Sequence, residues 1–208
     1  MHLEWLGFMF FSSIEALSLY VLIMALFRFK VMDYAWQAVT LVLLINVQSF
    51  ILRNEFALSD LVPVISILMF VFFFAVVVKM PFVWAVLATI LGYVIFAVIQ
   101  TSIIVTVFGS ITAIQTSVMN GYLLQLASAA VLLIISWVLK KRNLGFAFNM
   151  EVLRFKFEDF LVMIFIIIFI GAITLFLYLN QTWLTLLFFI VNAGFLLFYA
   201  IRKEKVHD

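Results

Sequence analysis

Seven apolar runs, each about as long as one bilayer crossing, leave this chain almost no way to fold except in lipid. They cover residues 6–27, 35–52, 61–78, 82–106, 122–139, 160–179 and 183–201. An α-helix rises about 1.5 Å per residue, so about 20 residues cross a hydrocarbon core of ~30 Å. Of the 208 residues, 68% are hydrophobic and 11% charged, where a soluble domain has roughly half and a quarter. A water-soluble fold of this size cannot hide so much apolar surface. In lipid every backbone N–H and C=O must be satisfied internally, which selects helices over open strands. The expected fold class is an all-α, polytopic transmembrane helix bundle. It forms a single transmembrane domain over 1–208, multi-pass in the cell membrane. The first run is long enough to span and lacks the basic flank and cleavage site of a signal peptide, so it reads as a retained helix.

The basic residues order these spans. With the N-terminus outside, the inner segments hold Arg28 and Lys30; Lys79; Lys140, Lys141, Arg142, Arg154 and Lys156; and Arg202, Lys203 and Lys205. That leaves only Arg53 of the twelve Lys and Arg residues on the outer side. Positive charge concentrates on cytoplasmic loops, so the pattern predicts seven spans, N-out and C-in. Pro63 and Pro81 stand near the starts of the third and fourth spans, where a missing N–H is harmless. The links Lys79-Met80-Pro81 and Asn180-Gln181-Thr182 are short enough for antiparallel hairpins.

Polar residues within the spans are the candidate contacts. Glu15, in Ser12-Ser13-Ile14-Glu15, is the only acidic residue inside a span. With no basic residue at its depth, its carboxyl is expected to stay protonated in hydrocarbon. Depth counting places Asn46 and Asn192 near the same level. Gln48, Gln100 and Thr101 lie closer to the outer face, where Gln115, Asn120 and Gln125 adjoin them. Two readings apply: a ligand- or proton-responsive cluster with apolar walls, or interhelical hydrogen bonds that fix packing. Glu15, Asn46, Gln48, Gln100 and Asn192 are the ligand contacts of the first reading. The uncharged outer loop over 108–121 suits a hydrophobic ligand. Small residues at Ala88 and Gly92, Gly171-Ala172 and Ala193-Gly194 permit close helix approach.

On the inner side, residues 143–159 repeat Phe146, Met150, Leu153 and Phe157 at helical spacing. This predicts an amphipathic segment at the interface. Lys140, Lys141, Arg142, Arg154 and Lys156 are the candidate contacts there, for anionic lipid headgroups or a partner protein.

Chemistry is conspicuously lacking. There is no cysteine, and His2 and His207 sit at opposite termini. No span carries H-E-x-x-H, a buried nucleophile–base pair or a pair of acids one turn apart. No phosphate-binding glycine loop and no repeated basic residues for voltage sensing are present. The expectation is a protein that is not an enzyme, has no cofactor or metal, and does not bind nucleic acid.

Three local features carry a family resemblance: Ser13-Ile14-Glu15-Ala16-Leu17 in the first span, the Lys79-Met80-Pro81 turn, and Lys141-Arg142-Asn143-Leu144-Gly145-Phe146 after the fifth. With them, the chain resembles the membrane sensor region of quorum-sensing histidine kinases of the accessory-gene-regulator type from Gram-positive bacteria. The sequence ends at Asp208 without the phospho-accepting His or ATP-binding domain of those kinases. The resemblance therefore implies binding and coupling without phosphorylation. The expected function is a non-catalytic receptor or regulatory subunit. It would bind a hydrophobic peptide or lipid-like ligand and act on a membrane or cytoplasmic partner, or as a homodimer. The alternatives are the substrate-binding membrane component of a transporter and a small helper of another membrane complex.

Overall fold

The computed structural model describes residues 2–54, 61–115 and 117–146. Over these residues the protein is helical, with no strand. Helix α1 is His2–Leu26, α2 Ala35–Asn54, α3 Val62–Val76, α4 Phe82–Ile103, α5 Ile111–Gln115 and α6 Val118–Lys141. A 3₁₀ turn, Val31–Tyr34, leads into α2, and a π-turn, Ile104–Phe108, extends α4. Four stretches are long and apolar enough to cross a membrane: Gly7–Leu26, Val31–Arg53, Phe82–Phe108 and Val118–Lys141. They correspond to the predicted spans 6–27, 35–52, 82–106 and 122–139. The predicted span 61–78 is shorter than expected, because α3 has 15 residues. At 1.5 Å each these cover about 22 Å, less than a full hydrocarbon core. The predicted spans 160–179 and 183–201, with Asn192, Arg154 and Lys156, lie outside the described residues.

Side-chain pairs give the helix directions. Helices α1 and α2 are antiparallel: Ser12 and Ser13 meet Asn46, and Tyr20 Oη donates to the Val31 carbonyl at 2.8 Å. Nearer their far ends, the Arg53 guanidinium lies 5.6 Å from the Phe8 ring. Helix α4 runs antiparallel to α1, with Gln100 beside Glu15 and Gly92 beside Ile23. Helix α6 runs parallel to α1. Tyr122 stacks on Phe11 with ring centres 4.6 Å apart, Ser128 reaches Glu15, and the Phe146 N–H donates to the Leu26 carbonyl at 2.7 Å. Helices α4 and α6 are therefore antiparallel, and the π-turn with α5 joins them at the end of the bundle away from Phe146.

Helix α4 is the centre of the bundle, buried without interruption from Trp84 to Gly92. Its small residues Ala85, Ala88 and Gly92 explain why neighbours come so close. A Cβ on Gly92 would collide with Cγ1 of Ile23 and lie 2.8 Å from Cδ1. By contrast, α2 and α6 expose large apolar side chains, among them Trp36 (80%), Leu44, Val47, Leu123, Ile134 and Trp137. Apolar faces exposed to that extent suit contact with lipid. Hydroxyls bond back to their own helix one turn earlier, as Ser18 to Ile14, Thr89 to Ala85 and Ser136 to Leu132. That satisfies them where no water is at hand.

One end of the bundle gathers cations. The C-termini of α1, α3 and α6 lie there, and each ends on a non-glycine residue in the left-handed region: Arg28 (φ 53°), Lys79 (φ 62°) and Asn143 (φ 54°). After α1 and α6 the Phe29 N–H reaches the Met24 carbonyl and the Leu144 N–H the Leu139 carbonyl, both at 2.9 Å, which caps otherwise unpaired carbonyls. Lys30, Lys140, Lys141 and Arg142 share this end, while Arg53 is at the other. Residues 143–146 of the predicted amphipathic segment form a turn that folds back on α1. Phe146 packs there against Phe27, ring centres 5.6 Å apart.

Candidate functional site

The polar residues of the spans assemble in the half of the bundle away from the cations, around two nodes on α1. The first joins α1 to α2. Asn46, fully buried, accepts a hydrogen bond from Ser12 Oγ at 2.7 Å. Its amide nitrogen donates to Ser13 Oγ at 2.6 Å and to the Met9 carbonyl at 3.4 Å. Both ends of the amide are thus taken up by α1.

The second node joins three helices. Glu15 Oε1 accepts from Gln100 Nε2 of α4 at 3.1 Å and from Ser128 Oγ of α6 at 2.6 Å. Ser128 is itself fully buried and close to the Leu124 and Gln125 carbonyls, at 2.9 and 3.1 Å. A single hydroxyl proton cannot serve all three acceptors, so this bond can be redirected within α6 when Glu15 changes partner. Beside the node, the buried Oε1 of Gln125, one turn before Ser128, has no hydrogen-bond partner among the described residues.

Of the predicted ligand contacts, the structure brings Glu15 and Gln100 together and places Asn46 in a separate node at a similar level. Gln48 belongs to neither. It lies two residues beyond Asn46, about 200° around the helix. It continues the row of Gln37, Leu41 and Leu44, which lines a groove against α3. Both polar atoms of its amide are buried and unpaired among the described residues. The groove, about 580 Å³ and walled by residues such as Trp36, Leu44, Leu68 and Phe72, includes none of Glu15, Asn46, Gln48 or Gln100. Asn120 ties α5 to α6 through the Ala113 carbonyl at 2.8 Å.

Ser128, the second donor to Glu15, is not evident from the sequence. Its signal is faint: one hydroxyl in Ala127-Ser128-Ala129-Ala130, a run of small residues where a helix can approach closely. Ser12 and Ser13 were visible beside Glu15, but their role toward Asn46 was not. Among the described residues no group of three or more His, Cys, Asp or Glu side chains is placed to hold a metal ion. Compared with known proteins, the chain matches no family, no curated protein and no solved structure.

Proposed function

We propose that the chain is a non-catalytic membrane receptor or regulatory subunit, with seven spans arranged N-out and C-in. In this reading it binds a hydrophobic peptide or lipid-like ligand among α1, α4 and α6 and couples to a partner at the cationic end. The observation that carries it is the Glu15 node, where one carboxyl oxygen holds donors from two other helices. A ligand group that donates to Glu15 competes with Gln100 and Ser128. Ser128 can fall back on carbonyls of its own helix, so breaking its bond to Glu15 strands no hydroxyl. The buried, unpaired Gln125 Oε1 offers the ligand a further acceptor. Differential affinity for the joined and released arrangements is what a helix-shift signal needs.

The orientation draws support from the charge: six basic residues share one end, where Asp33 of the α1–α2 link is the acidic residue among the described ones. A reporter fused after Asp208 should therefore read out inside the cell. For the ligand, the chain is purified from its native membrane and its organic extract compared with that of Gln100→Leu and Ser128→Ala by mass spectrometry. A hydrophobic compound retained by the wild type and depleted from both folded variants is expected. No retained compound, or equal retention by all three, refutes the receptor reading.

A further inference from the structure

We propose that the cationic end carries a binding site for one anionic phospholipid, between the C-termini of α1 and α6. The headgroup phosphate would be held by Arg28 and the Lys140–Arg142 run, and an acyl chain would lie along the exposed face of α6. The site rests on the chain lying in a bilayer but not on any ligand at Glu15.

The chain builds this notch in steps. Helix α6 ends at Lys141, the backbone turns through Asn143 in the left-handed region, and Gly145 (φ 144°) lets it close on α1. A Cβ at Gly145 would lie 2.9 Å from the Leu26 carbonyl oxygen, 3.0 Å from that of Ala25 and 3.1 Å from Cγ of Arg28. The bond from the Phe146 N–H to the Leu26 carbonyl, at 2.7 Å, locks the closure. Arg28, 115 residues away in sequence, is thereby brought to the end of α6, where its Nη2 donates to the Asn143 carbonyl at 2.7 Å. A guanidinium has five N–H donors in a planar fork, so this one bond orients the group and leaves the others for a phosphate.

Charge and shape both point to a lipid. Arg28, Lys140, Lys141 and Arg142 are exposed, and none forms an ion pair with a carboxylate among the described residues. Cations so gathered repel one another until an anion joins them. Directly along α6 from Lys141 run Trp137, Ile134 and Ala130, spaced at four, three and four residues on one exposed face; Trp137 and Ile134 are each 61% exposed. The Lys141 Nζ stands 4.7 Å from the centre of the Trp137 ring. An exposed indole beneath a lysine marks the level where headgroup meets hydrocarbon. An acidic peptide would answer the charges but leave that apolar row uncovered. A phospholipid answers both.

The test uses the full-length chain in detergent micelles, with retained lipid counted by native mass spectrometry during titration. The lipids are phosphatidylglycerol and phosphatidylcholine with matched acyl chains. Two variants remove the same charge from the same end: R28Q/R142Q within the notch and K30Q/K79Q outside it. A nearby Lys or Arg contributes about 1 kcal/mol toward an anionic headgroup, so R28Q/R142Q should weaken phosphatidylglycerol binding about 30-fold. K30Q/K79Q should leave it within about threefold of the wild type. Should R28Q/R142Q aggregate, K140Q/K141Q on the exposed last turn of α6 takes its place with the same expectation. Equal losses in the two doubles would mean diffuse attraction and overturn the site. So would phosphatidylcholine binding as tightly as phosphatidylglycerol, or displacement of the lipid by equimolar inorganic phosphate or oligoglutamate.

Discussion

Replacing Asn46 by Leu tests whether a polar node holds α1 to α2. Leu has a similar branched outline, so the change removes hydrogen bonds while nearly preserving shape. Three are lost: two short ones to Ser12 and Ser13, at 2.7 and 2.6 Å, and the 3.4 Å contact to the Met9 carbonyl. Interhelical hydrogen bonds in membrane proteins average about 0.6 kcal/mol, with an upper range of about 1.7. The two short bonds should therefore account for about 1–3 kcal/mol. Ser13 Oγ keeps its bond to the Met9 carbonyl at 2.7 Å, whereas Ser12 Oγ loses the partner it has among the described residues. Most of the destabilisation should thus couple to Ser12. The assay is reversible unfolding in mixed micelles against SDS mole fraction, arranged as a double-mutant cycle of Asn46→Leu with Ser12→Ala. A coupling energy of about 1 kcal/mol is expected, well above the ~0.3–0.5 kcal/mol seen for independent sites. A coupling indistinguishable from zero would refute the assignment of Asn46 to this node. Ser18→Ala, which loses only a bond within its own helix, serves as the near-neutral control.

Three further outcomes follow from the geometry. Gly92→Ala should cost about 1–3 kcal/mol by overpacking against Ile23, and Ile23→Ala in the same chain should recover part of it in the same unfolding assay. Gly145→Ala should cost about 1–3 kcal/mol, because a side chain there meets two backbone carbonyls at an unfavourable φ; faster amide exchange at Phe146 would report the opened closure, and unchanged exchange would contradict it. Glu15→Gln keeps a carbonyl oxygen for both Gln100 and Ser128 and should stay within about 0.5 kcal/mol of the wild type, while Glu15→Leu loses both bonds and about 1–2 kcal/mol. Equal behaviour of the two Glu15 variants in SDS unfolding would argue against the node.

Local signals in the sequence located the elements. The length of an apolar run and the placement of charge at its ends are one-dimensional properties, and they anticipated α1, α2, α4 and α6 together with the short turn at Lys79. The limits of α3 were less legible, because Leu61, Val77 and Val78 are apolar residues that hydropathy cannot tell from helical ones. Gln48 shows a second kind of limit. Depth places it with Gln100 and Thr101 toward the outer face, yet its position two residues beyond Asn46 turns it away from both nodes, and its amide lies buried and unpaired among the described residues.

What the amino-acid order determined by itself was therefore the all-helical class, the approximate borders of most described helices and the asymmetry of basic residues. Each follows from local preference and from the cost of charge in hydrocarbon. Only the tertiary structure decided which helices touch: α6 parallel to α1, Ser128 and Gln100 converging on Glu15, and Arg28 delivered to the end of α6. In soluble proteins an apolar stripe announces the face that a helix buries. These helices are apolar nearly all round, so their rotation and partners come from small residues and a few hydrogen bonds, whose meeting depends on three-dimensional packing.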